Sequence, residues 1–93
     1  MTEIKEVPTG PVPIGYEFEW LEYTLLVRRV PDFWMGGWEW EVVWPHHMDD
    51  PAHETLSEVE YEARYEADME VRDSESLAYG PVFAKALQRK LHE

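Results

Sequence analysis

The segment EVEYEARYEADMEV, residues 58–71, alternates without a break. Val59, Tyr61, Ala63, Tyr65, Ala67, Met69 and Val71 fill every second position, and the positions between them hold six acids and Arg64. A repeat of two places all seven on one face of a strand, whereas at about 100° per residue a helix scatters them around its circumference. Residue preference pulls the other way, because Glu, Ala, Arg and Met favour helices and Glu is a poor strand former. Seven consecutive matches predict a strand over 58–71, with a helix beginning near Thr55 or Ser57 as the alternative.

The same alternation recurs earlier in the chain. Tyr16, Phe18 and Trp20 alternate with Glu17 and Glu19, and the run continues through EYTLLVRRV, as one long bent strand or as two joined near Leu21 and Glu22. PDFWMGG reads as a turn, and WEWEVVW as a strand with Trp38, Trp40, Val42 and Trp44 on one face and Glu39 and Glu41 on the other. Residues 1–15, with three prolines and two glycines, read as an extended N-terminal arm, and residues 16–93 as a single domain. Near the end, Pro81 suits the first position of a helix after Gly80, and Val82, Phe83, Ala86, Leu87 and Leu91 form its apolar stripe. Arg89, Lys90 and His92 lie where the helix dipole favours cations. The expected fold is α+β: an antiparallel sheet of three or four strands with one C-terminal helix packed on an aromatic face of Trp20, Trp38, Trp40, Trp44, Tyr61 and Tyr65. Ala63 and Ala67 would let that helix come close.

Charge narrows the partners. Twenty acids stand against eight Lys and Arg, a net charge of −12 over 93 residues, and residues 49–75 alone carry −9. So acidic a chain is a poor ligand for nucleic acid or an anionic membrane, and a good one for a basic protein. No cysteine is present, so neither a disulfide framework nor a thiolate metal site is available. The opening residues lack a signal-peptide pattern, and no apolar run approaches the ~20 residues that span a bilayer, so a cytoplasmic location is expected.

Signals for catalysis are weak. His46, His47, Asp49, Asp50, His53 and Glu54 crowd one loop, but their spacing fits no metal motif, and a hydrophilic loop explains them. Paired carboxylates on a flat, exposed face lack the cleft and the separated pKa values of an acid–base pair. No phosphate-binding glycine loop and no activated serine or cysteine is found, so neither an enzyme nor a cofactor is expected. The hairpin loop with Phe33, Trp34 and Met35 either folds back on the core or offers an exposed anchor.

The stretches YTLLVRRVPDFWMGGWEWEVVWP and AYGPVFAKALQRKL resemble small uncharacterised proteins of actinobacterial phages, over residues 23–45 and 78–91. That resemblance implies a phage setting and a role against a host factor or in the virion, but no activity. From the residues themselves, the expected role is that of a non-enzymatic acidic interaction protein. Its carboxylate-rich sheet face would meet a basic, nucleic-acid-binding host protein, as an inhibitor or DNA mimic. The residues expected to carry this are Glu39, Glu41, Glu60, Glu62, Glu66, Asp68 and Glu70, with Trp34 as an edge anchor. The alternative is an assembly component that pairs with a second copy through leftover aromatic surface.

Overall fold

The computed structural model describes residues 3–8, 14–31, 36, 38–71 and 76–93. Four strands, β1 (Lys5–Pro8), β2 (Ile14–Trp20), β3 (Tyr23–Pro31) and β4 (Trp38–Val43), precede two helices, α1 (Asp50–Glu70) and α2 (Ser76–Leu91). The strands form one antiparallel sheet in sequence order. The chain is therefore α+β with an antiparallel sheet, as expected.

Period two holds in the strands. Phe18, Trp20, Tyr23, Leu25, Val27 and Trp40 are buried on the helix side, and Glu19, Thr24 and Glu39 are exposed on the other. The run from Tyr16 to Pro31 is two strands, turning at Leu21 and Glu22, with Trp20 directly opposite Tyr23. Their rings lie 6.3 Å apart and close the hairpin as a cross-strand aromatic pair. Leu21 takes a φ of 56° to make this turn, a left-handed conformation that hairpins of this length demand and a leucine adopts at a cost. Lys5–Pro8, part of the expected arm, forms the edge strand β1, with Pro8 at the strand end, where a missing N–H costs least.

The expectation of a strand over 58–71 is overturned, because these residues lie in α1 up to Glu70. The helix starts where local chemistry allows. Asp49 is the N-cap, its Oδ1 accepting from Ala52 N at 2.9 Å, and Pro51 sits in the first turn. Tyr23 Oη donates to Asp49 Oδ2 at 3.2 Å and accepts from Asp49 N at 3.1 Å, tying the start of β3 to the start of α1. Ala52, Leu56, Ala63 and Ala67 are buried, and Val59 is half-buried, a stripe with steps of four and three residues. The alternation is real in the sequence, but a different subset of its residues faces inward.

The expectation of one C-terminal helix is corrected in the same way: there are two, and α2 begins at Ser76 rather than at Pro81, which stands inside it. Nor is the buried side of the sheet the expected aromatic cluster, since Leu25 and Val27 are fully buried among its rings and Tyr61 and Tyr65 lie on α1. Helix α2 packs both on α1 and on strands β2, β3 and β4. Its buried residues Gly80, Phe83, Ala84, Ala86, Leu87, Gln88 and Leu91 cover roughly 200° of its circumference at about 100° per residue. That width suits a helix held between two layers, and Lys85 and Arg89 mark its exposed side.

Gly80 is where α2 meets the sheet most tightly. A Cβ there would lie 2.4 Å from the Cη2 and Cζ2 atoms of Trp40. In an unconstrained helix, Gly→Ala gains roughly 0.5–1 kcal/mol. Here G80A is expected to destabilise instead, by about 1–3 kcal/mol in urea unfolding, as overpacking does. In a Trp40→Leu background the same change should be neutral or stabilising. An equal gain from G80A in both backgrounds would contradict the contact.

Candidate functional site

Eight acids and one arginine give α1 a net charge of −7, and its helical period divides them into two sets. The inward set is structural. Glu60 Oε1 accepts from Trp44 Nε1 at 3.2 Å and its Oε2 from Arg64 Nε at 3.3 Å. Arg64 in turn lies over the Phe83 ring of α2, 4.6 Å from its centroid. Tyr79 Oη donates to the Arg64 carbonyl at 3.5 Å, and burial, with the nearby charge of Asp68, pushes its phenol up. Glu66 accepts a hydrogen bond from Arg89 of α2 and faces Lys90 Nζ at 3.5 Å.

The outward set is different. Glu54, Glu58 and Glu62 follow one another at four-residue steps, and all three are exposed. They make no ion pair with any described residue. Like charges at this spacing repel by about 0.2–0.5 kcal/mol per pair. Asp68 and Glu70 are exposed at the C-terminal end, where the dipole disfavours them and no basic residue occupies the last turn. Beside the glutamate row runs an apolar one: Tyr61, Tyr65 and Met69 are 76%, 65% and 55% exposed. Each lies three residues after an acid, Glu58, Glu62 and Glu66 respectively, so the two rows are neighbours on the helix surface.

The expected single acidic face is therefore not formed. Glu60 and Glu66 are engaged within the fold, and Glu62, Asp68 and Glu70 lie on the outside of α1. Glu39 and Glu41 belong to the helix-free side of the sheet, where Arg28 Nε binds Glu41 Oε1 at 2.7 Å across the paired strands. Trp34 lies outside the described residues. Tyr61, Tyr65, Glu54 and Glu58 were not among the residues expected to form a site. The four-residue recurrence of Glu54, Glu58 and Glu62 is the signal that points to them.

The histidine loop is occupied with structure. The His53 ring packs edge-on against Trp44 at 4.3 Å, Asp49 caps α1, and His46 and His47 are exposed on a turn. Among the described residues, no group of His, Cys, Asp and Glu is arranged to hold a metal ion. No helix among them is long and apolar enough to cross a membrane. Comparison of the chain with protein-family models, curated proteins and solved structures returned no match.

The Glu66–Arg89 contact ties α1 to α2 and makes a pH prediction. The hydrogen bond from Arg89, outweighing desolvation and aided by the charges of Arg89 and Lys90, holds the Glu66 carboxyl below its ordinary value of 4.5. A depressed carboxylate contributes stability above its unfolded pKa and loses it as pH falls through the folded one. Wild type should thus melt above E66Q at pH 7, and the gap should close as pH falls below about 4. Melting curves of both proteins from pH 7 to 3 check this, and a gap that persists unchanged would contradict it.

Proposed function

We propose that the chain is a non-enzymatic acidic interaction protein that engages a basic partner protein through the outward face of α1. The observation that carries this reading is the row of Glu54, Glu58 and Glu62, exposed and without an ion pair to any described residue, beside exposed Tyr61 and Tyr65. The row costs the isolated helix stability. A partner bringing Lys or Arg to it would turn that repulsion into attraction and accelerate encounter. The basic surface of a nucleic-acid-binding protein has this chemistry, and occupying it would inhibit that protein. The row places one carboxylate per ~6 Å along the helix axis, against ~3.4 Å per phosphate along a DNA strand. Inhibition would therefore rest on the aromatic row as well as on charge. If the chain acts in a phage setting, as its sequence pattern implies, that partner is a host protein.

The exposed tyrosines also suit a homo-oligomer. Charge weighs against it, since two copies joined through α1 would bring glutamate rows together, each chain carrying −12.

A 20-residue polylysine tests the location of the acidic surface by calorimetric titration. E54Q/E58Q/E62Q should bind at least tenfold more weakly than wild type at 50 mM salt, while E17Q/E19Q/E39Q on the sheet should bind within about twofold of it. The α1 variant should also be more stable, by about 0.8–2 kcal/mol, because four repulsive four-residue pairs, from Asp50/Glu54 to Glu62/Glu66, are removed. Greater loss in the sheet variant would move the functional surface to the sheet.

A further inference from the structure

The outward face of α1 is not flat. One shallow groove of about 610 Å³ is lined by Tyr61, Glu62, Tyr65, Glu66, Met69 and Lys90, and so runs along the seam between α1 and α2. A second, of about 530 Å³, is lined by Ser57, Glu58, Tyr61 and Glu62. The two share Tyr61 and Glu62, so they adjoin and together span α1 from Ser57 to Met69. Twelve steps at a rise of about 1.5 Å give this span a length of roughly 18 Å, or about three and a third helical turns.

We propose that these adjoining grooves form a docking site for one basic amphipathic helix of a partner protein, an inference that rests on the reading of α1 as the interaction surface. Three features specify the occupant. The apolar ridge of Tyr61, Tyr65 and Met69 repeats every four residues, about 6 Å, the spacing of a neighbouring helix's own ridges, so the two can interdigitate. The flank along Glu54, Glu58 and Glu62 requires cations at the same spacing. Arg89 and Lys90 engage Glu66, the next acid of that row, and leave Glu54, Glu58 and Glu62 without an ion pair to any described residue. The occupant therefore carries apolar residues at i, i+4 and i+7, with Lys or Arg one step round its circumference. Tyr and Met suit such a role, because both offer large apolar area and Met adapts to irregular partners. A second copy of this chain is a poor occupant, since its matching face is acidic. A small molecule is also a poor fit, because the grooves are shallow and most of such a ligand would stay in water.

Two 18-residue peptides of identical leucine and lysine composition test the inference by fluorescence anisotropy. In one, the leucines fall at i, i+4, i+7 and i+11. In the other, the order is shuffled so that no helical face is apolar. The amphipathic peptide should bind at least tenfold more tightly and gain helical circular dichroism on binding. Y61A/Y65A should lose at least tenfold in its affinity while keeping the wild-type melting temperature, since both rings are exposed. If Y61A/Y65A melts early, Y61Q/Y65Q serves in its place. Equal binding of both peptides, weakened only by E54Q/E58Q/E62Q, would overturn the helix groove and leave the basic-partner reading standing. Failure of both peptides to bind would remove both. Self-association in sedimentation that disappears in Y61A/Y65A would overturn the inference in favour of a second copy as the occupant.

Discussion

Everything outward in this fold depends on how closely α2 can settle between the sheet and α1. On the sheet side, the absence of a side chain at Gly80 admits the Trp40 ring, and Phe83 and Leu87 are fully buried. On the other side, Ala63 and Ala67 of α1 are fully buried too, and their small size brings the helices together. With its small residues turned inward, α1 has its largest apolar side chains left over on the outside. The exposure of Tyr61 and Tyr65 is thus the other side of the close packing that Ala63 and Ala67 permit.

That inversion explains why the sheet was legible in the sequence and α1 was not. In β2 and β3 the large residues of the alternation, Phe18, Trp20, Leu25 and Val27, are the buried ones, so size and burial agree. Over 58–71 they disagree: of the seven alternating positions only Ala63 and Ala67 are fully buried, while Tyr61, Tyr65 and Met69 are exposed. Taken without regard to size, the apolar residues here repeat with period two. The stripe of Ala52, Leu56, Val59, Ala63 and Ala67, and the cap formed by Asp49 with Pro51 behind it, carried the helical signal, in agreement with helix preference. The start of α2 was hidden for a related reason, since Gly80 and Pro81 read as a boundary, yet the helix runs through them. Glu62, Asp68 and Glu70 were recognised as surface acids, but only the helical geometry separates them from Glu60 and Glu66.

The acids therefore do two kinds of work. Glu60, Glu66 and Glu41 each meet an arginine, and the first two join α1 to its surroundings. Replacing them would test the fold and say little about partners. The outer row of α1 has no such duty, and its mutual repulsion is a cost that folding alone does not explain. A basic partner gives that cost a use, and the neighbouring tyrosines give the partner something besides charge to recognise.

The interaction surface depends on which way α1 faces, and the lack of any cysteine in the sequence allows that to be measured directly. Single cysteines placed in turn at 58 to 70 can be labelled with a thiol reagent under native conditions and their rates compared. The account predicts slow labelling at 63 and 67 and fast labelling at 58, 61, 62, 65, 68 and 69, the periodicity of a helix with its alanines inward. Rates that alternate with parity, fast at every even position and slow at 61, 65 and 69 as at 63 and 67, would contradict it and return the tyrosines to the core.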